Sequence, residues 1–158
     1  MAGRIEAGQL KGISVVTNSI IVAEVLGSLC KVILLGGEVR LFRKDICGPL
    51  VERYIKMFRT DKAFVGTDGV TTKDGLMTTD EYTSYVDGEM IRRSSQSILV
   101  ADSSKFNKPS FVSYARIDEI DLIITDSLLP ESIRREYENY GVKIEAAIVN
   151  NNKEGFIK

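Results

Sequence analysis

The chain has 158 residues, the length of one ordinary domain, and about two thirds of its unfolded surface should be buried on folding. Its 21 Lys and Arg stand against 22 Asp and Glu, a net charge of −1, without the basic excess of a free-standing nucleic-acid binder. It has no histidine, which excludes Ser-His-Asp triads, Cys-His dyads and most zinc sites, so any enzyme here would rest on carboxylates, lysines or tyrosines.

Hydrophobic residues make up 44% and charged residues 27%, the profile of a soluble globular protein. No apolar stretch is long enough to span a membrane and no signal segment opens the chain, which points to the cytoplasm. Cys30 and Cys47 are too widely spaced for a metal signature or a disulfide framework, and read as small buried hydrophobes. Nothing in the composition calls for a metal or a cofactor.

In chain order, MAGRIEAGQLKG (1–12) resembles the last turns of an amphipathic helix and its exit. ISVVT (13–17) is the first expected strand, and SIIVAEVLGSL (19–29) a helix with Ile20, Val22, Ala23, Leu26 and Leu29 on one side. KVILLGG (31–37) is the second strand. PLVERYIKMF (49–58) is a helix with Pro49 in its first turn and Leu50, Val51, Tyr54, Ile55 and Phe58 as its apolar face. KAFVGTDG (62–69) is the third strand, and GLMTTDEYTSY (75–85) a polar loop entering a helix over 80–94 that Thr79 or Asp80 caps and Gly88 weakens. SILVAD (97–102) and DLIITD (121–126) are the fourth and fifth strands. LPESIRREYENYG (129–141) is a helix stopped by Gly141, VKIEAAIV (142–149) a further strand, and 151–158 a polar tail.

These apolar runs are continuous rather than alternating, as in parallel strands covered on both faces, and helices separate them. The expectation is one α/β domain over 1–150, a mostly parallel sheet with helices on both faces. Ligands of such sheets bind beyond the carboxyl ends of the strands. There the sequence places Thr17, Asn18 and Ser19; Gly36, Gly37 and Glu38; Gly66, Thr67, Asp68 and Gly69; Asp102, Ser103, Ser104 and Lys105; then Thr125, Asp126 and Ser127. Each set has a plain structural explanation. Thr17–Ser19 and Asp126–Ser127 can cap helices, the glycine pairs can be turns, and Thr78 and Thr79 can reach a pocket or only cap a helix. Recurrence at one sheet edge points instead to a ligand. Lysine and backbone N–H groups suit a phosphate, and Asp and Asn suit hydroxyls.

The ordered set VVTNS (15–19), VILLGGEVR (32–40), GPL (48–50), DKAFVGTDGV (61–70), GLMTTD (75–80), ADSSKF (101–106) and IDLIITD (120–126) resembles the C-terminal effector domain of DeoR-type bacterial repressors of sugar metabolism. The resemblance implies the fold of ribose-5-phosphate isomerase, glucosamine-6-phosphate deaminase and CoA transferases. It also implies a domain that senses a phosphorylated sugar without turning it over and controls DNA binding through a helix-turn-helix domain. By motif, Asn18, Gly36, Gly37, Asp68, Gly69 and Lys105 are the implied pocket residues, with Ser103 and Ser104 in support.

Two departures from the pattern stand out. The DNA-binding domain, and a strand ending in a D-x-G-T-T-type phosphate loop, belong upstream of this sequence; the chain therefore reads as N-terminally truncated, its phosphate site incomplete. Three residues before Met90 the family usually places a lysine, and this chain has Asp87. Two competing readings are a sugar-phosphate isomerase or deaminase, with Asp68 or Glu81 as general base, and an oligomerisation module that binds no small ligand. Self-association is expected in any case.

Overall fold

The computed structural model describes residue 10 and residues 12–147, and the chain resolves into two compact units, Met1–Thr60 and Asp61–Lys158. The first unit runs β1 (Ser14–Thr17), α1 (Ile20–Leu26), β2 (Lys31–Leu34), β3 (Glu38–Arg40), β4 (Asp45–Cys47) and α2 (Pro49–Ile55). β1 and β2 pair in parallel from Ser14↔Lys31 to Thr17↔Leu34, with α1 as the crossover. Ser19 caps α1, its hydroxyl accepting from the Val22 N–H at 3.3 Å. A cap of this kind contributes about 1 kcal/mol.

The stretch after Gly37, for which the sequence suggested only a turn, is an antiparallel hairpin. β3 pairs with β4 from Glu38↔Cys47 to Arg40↔Asp45. Pro49 occupies the first position of α2, where its missing N–H costs nothing. Val51 and Ile55, one turn apart, are buried with Leu35, Ile46 and Cys47.

The second unit holds β5 (Thr60–Val65), β6 (Gly69–Thr71), β7 (Gly75–Thr78), α3 (Glu81–Arg92), β8 (Ser94–Val100), β9 (Val112–Ala115), β10 (Leu122–Asp126), α4 (Glu131–Glu138) and β11 (Lys143–Ala147). Four of the expected strands form one sheet in the order β11-β10-β8-β5, with β8, β10 and β11 parallel. α3 packs against β8 and α4 against β11, giving the expected α/β architecture with helices flanking a parallel sheet. The end of the last expected strand, residues 148 and 149, and the tail lie outside the described residues.

A three-stranded antiparallel sheet, β6-β7-β9, has no counterpart in the sequence reading. The segment expected to be a polar loop, Gly75–Thr78, is its central strand, and all four residues are buried. Leu76 joins Val65, Val70, Ile91, Leu99, Phe106, Ile123, Tyr137 and Ile144 in one contiguous core.

Asp80, not Thr79, caps α3, its carboxylate accepting from Thr83 N–H at 2.8 Å. Gly88, unexpected in a helix, lies where α3 crosses β9. A Cβ there would come within 3.0 Å of the Tyr114 carbonyl, so glycine is what lets helix and strand approach. Tyr137 is fully buried, edge-on to Phe106 at 5.2 Å between ring centroids. Its hydroxyl donates to the Val70 carbonyl at 2.8 Å, so the one polar atom of this core residue is satisfied.

Candidate functional site

In the second unit the polar groups collect at the carboxyl ends of β5, β8 and β10. After β5 the chain turns through Gly66 and Thr67 into Asp68. One oxygen of Asp68, Oδ2, takes three donors: the Thr79 N–H at 2.8 Å, the Thr79 hydroxyl at 2.9 Å and the Thr78 hydroxyl at 3.0 Å. The Thr79 N–H is the largest influence holding the Asp68 carboxyl below its ordinary value, against burial, with the two hydroxyls and the Lys105 ammonium adding to it. Thr78 and Thr79 therefore neither cap α3 nor stand free, and Asp68 reaches neutral pH ionised.

Residues 101–106 leave β8 through a single 3-10 turn, Ser103–Lys105. Asp102 accepts from Ser104 N–H at 2.9 Å, and Asp126, at the end of β10, accepts from Ser103 N–H at 2.8 Å. These two serine N–H groups are thus committed to carboxylates within the protein. Asp102 is held low by the Ser104 hydroxyl first, and also by the Ser104 N–H and Lys105. Asp126 is held low by the Ser103 N–H first, then by the Leu128 N–H at 2.8 Å. The helix at Glu131 begins from Pro130, so Asp126 ties β10 to the β8 loop rather than capping that helix. Lys105 acts electrostatically on both Asp68 and Asp102, yet among the described residues its ammonium makes no hydrogen bond or ion pair.

Two residues that the sequence did not mark hold this edge in place. Thr67 Oγ1 sits between the carbonyls of Gly69, at 2.6 Å, and Met77, at 2.8 Å, and pins the β6–β7 hairpin. The Tyr114 hydroxyl donates to the Gly66 carbonyl. Burial raises its pKa, and the Asp87 charge adds to that rise, which places the Asp87 carboxylate near the turn. No local signal marks Tyr114, whose partner lies 48 residues away. Gly69 has a packing role: a Cβ there would meet the Lys108 carbonyl at 2.2 Å.

In the first unit Asn18 Nδ2 donates to the Ile46 carbonyl at 3.0 Å, and its own carbonyl accepts from Ile46 N–H at 2.9 Å. Asn18 thereby fixes β4 beside the end of β1. Thr17 Oγ1 accepts from Ser19 N–H at 3.0 Å, so the Thr-Asn-Ser stretch acts as a helix entry. Gly37 is required by packing, since a Cβ would stand 2.5 Å from the Cys47 carbonyl. Gly36 is exposed, with open space where a side chain would be.

Chemically, the edge of the second unit offers ionised carboxylates, hydroxyls and one unpaired ammonium. Among the described residues no group of three or more acids, cysteines or histidines is placed to hold a metal ion. No described helix is long and apolar enough to cross a membrane.

Comparison with known proteins gives a concordant picture. The family model described as "DeoR C terminal sensor domain" matches residues 1–127. The chain is 36% identical over 111 residues to the HTH-type transcriptional regulator GlpR of Haloferax volcanii, covering 70% of this chain and 44% of that protein. It is 33% identical over 133 residues to the HTH-type transcriptional repressor GlcR of Bacillus subtilis, covering 83% and 51%. It is 29% identical over 133 residues to the glycerol-3-phosphate regulon repressor of Escherichia coli, covering 83% and 53%. The chain spans about half the length of the curated relatives it matches.

Proposed function

This chain belongs to the DeoR C-terminal sensor domain family, and from that premise we propose that it binds a phosphorylated sugar or polyol without turning it over and passes its bound state to a helix-turn-helix domain. The observation that carries the reading is Lys105. Its ammonium has no partner among the described residues, and it stands within electrostatic range of Asp68 and Asp102 at the sheet edge. A phosphate would supply the missing partner, and charge-assisted hydrogen bonds are about twice as strong as neutral ones. Asp68 Oδ1 has no donor among the described residues and suits a sugar hydroxyl; the hydroxyls of Ser103 and Ser104 and the backbone at Gly69 complete this set. In the first unit the proposal extends to Asn18, Gly36 and Gly37, of which Gly36 offers open backbone.

The site geometry favours sensing over catalysis. A general base works best with a pKa near the operating pH, whereas Asp68 is held below even its ordinary value by three donors. Asp102 and Asp126 are held low as well, which leaves the edge without a proton donor of the second kind an isomerase cycle needs. One relative bears the name glycerol-3-phosphate regulon repressor, and glycerol 3-phosphate therefore belongs in the ligand panel.

The test is thermal unfolding of the 158-residue chain against glycerol 3-phosphate and a set of sugar phosphates, beside the unphosphorylated parents. A ligand at a hundred times its Kd stabilises the fold by about 2.7 kcal/mol, a rise of a few degrees in Tm for a domain of this size. The expected result is a shift with one phosphorylated compound, absent for its parent and lost in Lys105→Ala. A shift that survives Lys105→Ala removes Lys105 from the site, and product formation replaces the sensor reading with the enzymatic one.

A further inference from the structure

The β3–β4 hairpin carries an apolar tip that is left in solvent. Phe42 is 100% exposed, Leu41 71% and Val39 52%. Single exposed apolar residues are ordinary, but three within four positions of one rigid turn are not. Rigidity comes from Arg40, whose Nε and Nη2 clasp the two oxygens of Asp45 at 2.8 and 2.7 Å, with Arg43 Nε 3.6 Å from the same carboxylate. The base of the hairpin is tied down as well. Ile20 N–H donates to the Lys44 carbonyl at 2.9 Å, and Asn18 bonds Ile46 through both its side chain and its backbone. Phe42 is therefore presented at a fixed place, with little ordering entropy left to lose on docking. An aromatic side chain beside arginines is the composition of an interface anchor.

Charge decides what the anchor meets. Met1–Thr60 contains nine Lys and Arg against five Asp and Glu, a net +4, and Asp61–Lys158 contains 12 against 17, a net −5; together they make the −1 of the chain. Arg43 and Lys44 flank Phe42 within the positive unit. Every other copy of this chain offers a surface of the opposite sign, and complementary potentials steer and orient association. We propose that the Leu41–Phe42 tip is a docking knob for a second copy of this chain, and that it seats on the acidic second unit of that copy. Tip against tip would oppose Arg43 and Lys44 to their own equivalents, so the joint is heterologous, between unlike surfaces.

Sedimentation velocity over a range of concentrations and salt tests this with the whole chain. Wild-type protein is expected to self-associate, and less so as salt rises. Phe42→Ala, at a position exposed enough to leave the thermal midpoint unchanged, should weaken association by about thirtyfold, the size of an interface hot spot. Its own second unit remains intact, so it should still bind wild-type chains and shorten their assemblies. Wild-type protein that stays monomeric overturns the proposal and leaves the tip to a different partner. Association that Phe42→Ala does not weaken, or that salt does not touch, overturns it equally.

Discussion

The two units bury their apolar residues to very different degrees. In the second, a contiguous cluster runs from Val65 to Ile144, and Leu76, Leu99, Ile123 and Tyr137 are wholly shielded. In the first, helix α1 is apolar at six of its seven positions, Glu24 excepted, yet buries none of them, and Ile13, Ile21, Val25 and Leu34 are all open. Apolar sequence thus does not by itself make a core. The same kind of β–α–β crossover closes over a core where other elements cover it, and stays half-open where the described residues supply no cover.

The largest test of that contrast is a pair of truncations. Leu99→Ala removes a side chain that is 0% exposed and leaves a cavity, and should cost about 2–5 kcal/mol in urea unfolding. Ile21→Ala removes one that is 53% exposed, and should stay within about 0.5 kcal/mol of wild type. An equal loss in both variants would break the comparison, because it would mean that the α1 face is covered in solution.

What was legible in the sequence follows the same physics. β8 and β10 were readable because SILV and LIIT are continuous apolar runs of β-branched and aliphatic residues, the pattern of strands covered on both faces. β3, β4 and β6 are three residues each and mix glycine or charge with apolar residues, too short for any period to show. β7 was misread for a subtler reason. Its Thr78 looks like loop chemistry, but it is buried because Asp68, ten residues earlier, accepts its hydroxyl. Asp68 and Lys105 could be placed at the sheet edge from strand positions alone. The commitment of the Ser103 and Ser104 N–H groups could not, because it depends on the β8–β10 register, Ile98↔Leu122 to Val100↔Ile124, which brings Asp126 beside residue 103. Tyr137 and Val70 meet across 67 residues, and no local pattern encodes such a contact.

The first unit is nevertheless close-packed at one point, and the next prediction sharpens the contrast there. At Gly37 an added Cβ would lie 2.5 Å from the Cys47 carbonyl and 2.9 Å from Val51 Cγ2, both held by the hairpin and α2. Gly37→Ala should cost about 1–3 kcal/mol, as overpacking does. Gly36→Ala, one residue away and facing open space, should be neutral or stabilising by up to about 1 kcal/mol through the unfolded state. Urea midpoints of the two variants decide it, and a costly Gly36→Ala would show that the backbone there has no room for a side chain.

The smallest effect concerns acid. The carboxyls held below their ordinary values, Asp68, Glu89, Asp102 and Asp126, all belong to the second unit. Asp68 owes this first to the Thr79 N–H; in Glu89, burial is outweighed by Arg93 and Arg92. A depressed carboxyl binds its proton less readily folded than unfolded. Its contribution is therefore complete above the unfolded value, 3.8 for Asp and 4.5 for Glu, and is lost as pH falls through the folded one. The second unit should accordingly weaken below about pH 4, and modestly, because these groups face solvent. Asp68→Asn removes one titrating group and should flatten part of that acid slope in urea midpoints measured from neutral pH downward. It also leaves Thr79 N–H a weaker, neutral acceptor, so a small uniform loss at neutral pH accompanies the flatter slope. An acid slope identical to wild type would mean that Asp68 is not held by Thr78 and Thr79 in solution, and the carboxylate would then be free to meet a ligand with both oxygens.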